Sequence, residues 1–373
     1  MSRRHLIPGQ LRAVYYFEDT LHRAGPEGGR SLLAAAAELG FTAVVTEPVR
    51  LPEWLVPTAH ELGMAALVAV ACFSDHADPI LPENPHLWPI ESTGRRRPRQ
   101  EWYTGLIPTD ETHNATVVQR CARLAEQGVD GVIADFIRWP MHWELELRAP
   151  ERHQETSYDA ITLARFADWS GVAVPHEPVS AAERIHSEHA ETWYDFRRMV
   201  ITDVLRRIGE AVREANPDAL VGAFVVPATE PQRMTWLGQD VAAFAEHCDV
   251  LFPMAYHAIT HRPPSWVAEV TREIAASSGG VVVPVVQSTS DPAVSDGADW
   301  GPRFDAADFA DALAHAAEAA SGVVVFCGEG LTPDRAHEVA RSFGRDTTPA
   351  LSNRRAKEPF ESHHPLLRSK DPA

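Results

Sequence analysis

The chain alternates between two textures. Short, nearly uninterrupted apolar runs occupy residues 12–17, 41–48, 65–73, 129–135, 220–227, 249–257, 280–287 and 322–327, and helical stretches separate them. Runs this short and this continuously apolar read as strands buried on both faces, as in a parallel sheet covered by helices; a sheet with one wet face would alternate instead. The clearest helix carries Trp193, Phe196, Arg197, Val200, Ile201, Val204, Leu205, Ile208 and Val212 at 3.6-residue spacing and stops at Asn216-Pro217. Further helices are expected at 30–39, near 52–62 and at 114–127, the last ending at Gly128 in a left-handed cap. Eight strand–helix units in series predict an α/β fold, a (β/α)8 TIM barrel, in preference to an open doubly wound sheet. No GxGxxG or GxxxxGK[ST] follows any strand, which removes the main support for dinucleotide or P-loop chemistry.

The spacing between units adds organisation. Compact units step by roughly 25 to 40 residues, but two are longer: 73–113 after strand three and 139–190 after strand four. Each insertion follows a strand and precedes its helix, so both belong on the carboxyl-terminal face, where barrel enzymes place their sites. They carry Trp88, Trp102, Tyr103, Trp139, Trp143, Tyr158 and Trp169, rings suited either to stacking on a ligand or to forming small cores over the barrel mouth. Residues 10–343 are expected to form one barrel domain, and 346–373, polar and rich in Pro, Arg and Ser, a disordered tail.

Composition narrows the function. The formal net charge of −18 opposes binding to nucleic acid, whose phosphates it would repel. The basic run Arg95-Arg96-Arg97-Pro98-Arg99 reads as a solvated loop. Four scattered cysteines form neither a disulfide framework nor a metal knuckle. With no apolar leader at the start and no apolar stretch approaching the ~20 residues of a bilayer span, a cytoplasmic, reduced protein without membrane contact is the expectation. The 18 histidines form no HExxH, and no metal or other cofactor is expected; no GxSxG elbow supports a serine hydrolase.

One stretch concentrates the chemistry: Gly128-Val-Asp-Gly-Val-Ile-Ala-Asp135-Phe-Ile-Arg138-Trp139-Pro140. A carboxylate at the end of an apolar strand is costly to bury unpaired and so usually has a partner or a task. Asp135, at the carboxyl end of strand four, is the first candidate catalytic acid, whereas Asp130 opens the same strand at the opposite face and is expected to cap a turn. A second carboxyl would come from another strand end: Glu47 first, because its strand leads straight into it with a Pro behind, then Glu329. Glu18, Asp19 and Glu230 meet the same positional rule. Arg138, Trp139, Tyr256, His257, Gln287 and Trp102 are candidate substrate contacts, as guanidinium fork, stacking rings, hydrogen-bonders and hydroxyl reader.

The same stretch resembles the GxDGIxxDYIRYP signature of glycoside hydrolase-like barrel families. Supporting pieces are Trp102 to Asp110 ahead of helix three, Trp193-Tyr-Asp-Phe196-Arg197 opening helix four, and Asp249-Val-Leu-Phe-Pro253-Met254-Ala-Tyr256-His257 on strand six, together covering most of residues 10–340. More distantly it is similar to the DGxDxDxE strand of chitinase-like hydrolases, but Ile133 and Ile137 stand where that pattern has its second acid and its catalytic Glu, which speaks against a chitinase-type mechanism. The resemblance implies a glycosidase acting on a carbohydrate or glycoconjugate through a carboxylate pair that includes Asp135. Its rivals are a carbohydrate-binding barrel that has lost catalysis and a barrel hydrolase or lyase assisted by a metal.

Overall fold

The computed structural model describes residues 6–75 and 80–345. The expected tail 346–373 lies outside them. Eight parallel strands close into a barrel: β1 (Arg12–Tyr15), β2 (Ala43–Thr46), β3 (Ala65–Ala71), β4 (Gly131–Asp135), β5 (Leu220–Val225), β6 (Val250–Ala255), β7 (Val285–Gln287) and β8 (Val323–Phe326), with β1 pairing β8 to complete the circle. The main outer helices are α1 (Glu18–Leu39), α2 (Leu55–Glu61), α3 (Glu111–Glu126), α4 (Ala190–Ala215), α5 (Val241–Ala245), α6 (Trp266–Ser278), α7 (Ala306–Ala319) and α8 (Pro333–Ser342). The expected (β/α)8 barrel is the observed fold.

Strand parity divides the core into two layers. Successive side chains on a strand face opposite ways. Val14, Val44, Val68, Val132, Val221, Leu251 and Val325 face outward and pack under the helices, whereas Tyr15, Val45, Leu67, Ile133, Phe224, Phe252, Met254 and Val324 fill the barrel interior. At Gly222 an added Cβ would lie 2.6 Å from the Phe252 ring, so a small residue is required where a large ring crosses the interior.

Two boundaries differ from the sequence reading. Helix α1 begins at Glu18, well before residue 30, because the chain turns at Gly25 (φ 60°) and resumes helix at Pro26, where a missing N–H costs little. The apolar run 280–287 yields only Val285–Gln287 as ladder, because Pro284 has no N–H to donate; upstream the run keeps one bridge, Leu251 to Val282. Asp130 does more than cap a turn. Its carboxylate accepts the Ala66 N–H at 2.8 Å and lies 2.7 Å from His60 Nε2, which clasps the starts of β3 and β4. Asp249 does the same for β5 through the Val221 N–H at 2.7 Å.

The two insertions form one rim beside the barrel mouth. Arg97 of the first meets Glu146 of the second in a buried ion pair, the Tyr103 hydroxyl donates to the Met141 carbonyl at 2.7 Å, and the Tyr158 N–H donates to the Ile90 carbonyl at 2.8 Å. Helix α4 anchors the rim from below. Arg197, wholly buried, lies 4.2 Å over the Trp139 ring and donates to the carbonyls of Thr156 and, at 2.7 Å, Trp236. No helix among the described residues is long and apolar enough to cross a membrane.

Removing a buried cation whose two terminal nitrogens both donate to carbonyls strands those acceptors, so Arg197→Ala is expected to lower unfolding free energy by about 3–5 kcal/mol. Denaturant unfolding checks this; a loss under about 1 kcal/mol would mean that Arg197 does not hold the rim.

Candidate active site

The carboxyl ends of β1, β2, β4, β6 and β8 converge on one cleft. Interior parity holds to the last residue of each strand or one step past it, which brings Glu47 (two beyond Val45), Asp135 (two beyond Ile133), Tyr256 (two beyond Met254) and Phe326 (two beyond Val324) to the mouth. Asp135 and Glu47 are in side-chain hydrogen-bonding contact. Two carboxyl groups can hold such a bond only if one of them carries a proton. Burial, with the Glu47 charge beside it, raises Asp135 to about 8, against a smaller opposing pull from Arg138 and from its bond to the Phe136 N–H (2.6 Å). Asp135 therefore remains a carboxylic acid at neutral pH, while keeping partial contact with solvent.

The backbone that follows is held in an uncommon conformation. Phe136 has φ 49°, a region bulky side chains rarely adopt. The turn lets the Phe136 ring pack edge-on against Tyr103 (4.9 Å) and Trp102 (5.7 Å) and sets Arg138 4.5 Å above it. Strain of this kind persists where surrounding contacts over-determine it, and it gathers at functional sites. Arg138 is 3% exposed and its Nε has no hydrogen-bond partner in the protein, so a buried cationic donor stands ready beside Asp135.

Aromatic walls complete the cleft. Tyr256 stacks on Phe326 at 4.9 Å and packs against Trp143 at 5.8 Å; Tyr15 meets Phe326 at 5.1 Å. Burial lifts both tyrosine hydroxyls well above their ordinary range, Tyr15 with the charges of Glu47 and Asp135 acting on it, Tyr256 with those of Asp135 and Glu144. Both therefore serve as neutral hydrogen-bonders. Glu144 is a further carboxyl of the cleft. It lies on the short helix Trp143–Glu146, burial raises it to about 7 against the pull of Arg138, and its Oε2 is buried without a hydrogen-bond partner.

Of the residues expected from sequence, the cleft brings together Asp135, Glu47, Arg138 and Tyr256, with Trp102 at its edge through Phe136. Glu329 is turned toward α1: it accepts the Phe17 N–H at 3.0 Å and a bond from Thr20, and burial raises its carboxyl. Glu18 accepts the Val49 and Arg50 amides at 2.9 and 3.2 Å, and Glu230 is exposed.

Three expected contacts are corrected. Trp139 is not a sugar platform: it is fully buried, its Nε1–H donates to the Arg197 carbonyl at 3.0 Å, and Trp193 and Phe196 pack around it. His257 has the opposite parity to Tyr256 and faces outward, its ring 4.8 Å from Phe304, where burial lowers it to about 4. Gln287 points inward, but its amide is spent on backbone, donating to the Thr289 (2.8 Å) and Trp300 (3.0 Å) carbonyls and accepting the Ile259 N–H at 3.1 Å. It braces the loops after β6 and β7.

Tyr15, Phe326 and Glu144 were missed. The sequence does not mark Tyr15 because the first apolar run continues to Phe17, past the last paired residue, although alternation from Ala13 reaches it. Glu144 had no strand to mark it. The four cysteines are free and buried, and among the described residues no group of three or more His, Cys, Asp or Glu could hold a metal ion.

Solved structures of similar fold include glycoside hydrolases. The glycoside hydrolase domain of PgaB (BpsB) from Bordetella bronchiseptica matches with a TM-score of 0.67 at 16% identity, covering 89% of this chain and 98% of that one. A β-galactosidase from the Antarctic haloarchaeon Halorubrum lacusprofundi matches with 0.66 at 14%, covering 90% of this chain and 58% of that one. The catalytic domain of β-amylase from Paenibacillus polymyxa matches with 0.62 at 10%, covering 90% and 98%. At these identities the likeness concerns the fold. No family model matches the sequence, and comparison with curated proteins gives no match.

A carboxyl whose folded-state value is raised costs stability as pH climbs from its unfolded value of about 4 to its folded value of about 8, because the unfolded chain releases the proton first. Asp135→Asn is therefore expected to stabilise the fold by at least about 1 kcal/mol at pH 8, and by less at pH 5. Thermal unfolding at both pH values checks the sign; equal or lowered stability at pH 8 would contradict the raised value.

Proposed function

We propose that the chain is a glycoside hydrolase-like enzyme that cleaves a glycosidic bond with a carboxylate pair including Asp135. Residues 10–343 are taken as its catalytic barrel. The observation that carries the reading is the Asp135–Glu47 contact at the carboxyl-terminal mouth of the barrel. A strand-end carboxyl kept protonated at neutral pH is what protonation of a leaving glycosidic oxygen requires. The Glu47 charge beside Asp135 helps keep it in its acid form, Arg138 offers donors to sugar hydroxyls, and Tyr256, Phe326 and Trp102 supply apolar faces for a sugar ring.

The glycoside hydrolase neighbours support this as analogy of fold. The rival reading, a carbohydrate-binding barrel without catalysis, would be favoured by a lone acid; Asp135 instead has a carboxyl in contact. Binding alone also gives no reason to hold a proton so far above the usual carboxylate range.

Two variants test the proposal on a panel of aryl glycosides. Asp135→Asn is expected to lower kcat by about 10²–10⁴-fold without unfolding. In Glu47→Gln the like charge beside Asp135 is gone, so the alkaline limb of the kcat/KM profile is expected to move to lower pH. Unchanged turnover in Asp135→Asn would exclude the proposal.

A further inference from the structure

Among the described residues four arginines keep a buried Nε without a hydrogen-bond partner: Arg138, Arg197, Arg233 and Arg335. In three of them the terminal nitrogens are engaged. Arg197 donates to the Thr156 and Trp236 carbonyls, Arg233 to the two Glu273 oxygens at 2.9 and 2.6 Å, and Arg335 to the Phe304 carbonyl at 2.7 Å. Arg138 stands apart. Its guanidinium donates no hydrogen bond and meets no carboxylate in an ion pair among the described residues, although only 3% of the residue is exposed. It rests on the Phe136 ring at 4.5 Å. A buried charge without a counter-charge is costly, and folded proteins normally pair it.

The backbone sets this cation beside the acid. Asp135 and Arg138 end one tight turn, in which the Asp135 carboxyl accepts the Phe136 N–H at 2.6 Å and the Phe136 carbonyl accepts the Arg138 N–H at 2.9 Å. The ring beneath the guanidinium packs on Tyr103 and Trp102 of the first insertion, so the cation sits where the end of β4 meets the rim. Asp135 and Arg138 nonetheless form no ion pair. That suits an acid that keeps its proton, and it leaves the guanidinium uncommitted.

A second observation points the same way. The chain carries a formal net charge of −18, yet Arg95, Arg96 and Arg99, on the insertion that also holds Trp102, are exposed and form no ion pair among the described residues. Arg96 lies 5.4 Å over the Trp88 ring. Cations left unneutralised on a rim draw anions toward the cleft behind it.

We propose that the sugar unit bound at Asp135 carries a carboxylate, as a hexuronate does, and that Arg138 is its counter-ion; the inference rests on the glycosidase reading. A carboxylate meets the planar guanidinium fork with two parallel bonds, whereas a hydroxyl offers it one neutral acceptor. In a pyranuronate the glycosidic oxygen on C1 and the carboxylate on C5 are borne by the two carbons that flank the ring oxygen. One turn ending in an acid and a guanidinium can therefore address both. Protonated Asp135 does not repel the anion. The Glu47 charge opposes it, and the fork offsets that with charge-assisted bonds.

The test uses matched 4-nitrophenyl pairs, glucuronide against glucoside and galacturonide against galactoside, in both anomeric forms. Calorimetry with sodium glucuronate and galacturonate against glucose and galactose reads binding without turnover. Wild type, Arg138→Gln and Arg138→Lys are compared, with melting temperatures confirming that each is folded. Wild type is expected to favour the charged member of a pair by about 10–100-fold in kcat/KM and in binding. In Arg138→Gln that ratio is expected to fall within about threefold of unity, and Arg138→Lys to keep part of it as a point charge. A merely structural Arg138 would lower both members alike and leave the ratio unchanged, which would overturn the proposal. So would a wild type that treats the neutral member as well as the charged one, or that neither binds nor cleaves any uronate. Cleavage of neutral glycosides without preference for uronides would leave the glycosidase reading standing alone. Uronate binding that depends on Arg138, with no hydrolysis of any glycoside, would keep the anion site and remove the glycosidase reading.

Discussion

The proposed chemistry turns on one carboxyl at the mouth of the barrel, Asp135, whose surroundings hold it well above the ordinary carboxylate range. Removing water from Asp135 disfavours its ionised form, and the Glu47 charge beside it disfavours that form further; Arg138 and the Phe136 N–H offset only part of this. The group is left as an acid in a setting where ordinary carboxyls have long been ionised. An arrangement so costly to the fold needs rigid support. The support comes from β4, hydrogen-bonded on both sides within the closed sheet, and from the turn at Phe136, whose φ of 49° is held by Tyr103, Trp102 and Arg138.

The rim has a matching role. Fastened by the Arg97–Glu146 pair and seated on α4 through Arg197 and Trp139, it carries Trp143 and Glu144 over the floor. The large buried residues of the insertions thus serve less as ligand contacts than as the frame that places two neighbouring side chains. The barrel alone would present Asp135 to open water; with the rim in place the acid sits in a cleft where electrostatic effects are stronger.

Much of this was legible in the sequence. The eight apolar runs disclosed the barrel because strands buried on both faces cannot alternate, and the strand-end rule singled out Asp135, Glu47 and Tyr256. What that rule lacks is parity and partnership. His257 follows Tyr256 in sequence but packs outward on Phe304, and Gln287 faces inward yet has its amide taken up by loop backbone. Trp139 belongs to the signature stretch and reads equally well as platform or core; only the approach of Arg197 and Trp193 decides it. Glu144 was hidden for a different reason. Its place depends on how an insertion of about fifty residues folds back over the barrel, and no local periodicity encodes that.

The central claim is that Asp135 keeps its proton at neutral pH because of burial and its contact with Glu47. Infrared difference spectra of wild type against Asp135→Asn, recorded across a pH titration, read that proton directly. The expected result is a protonated-carboxyl band that belongs to Asp135, persists through pH 7 and disappears around pH 8, and that ionises at lower pH in Glu47→Gln. A band already lost by pH 5 would show Asp135 to be an ordinary ionised carboxylate and would contradict the account.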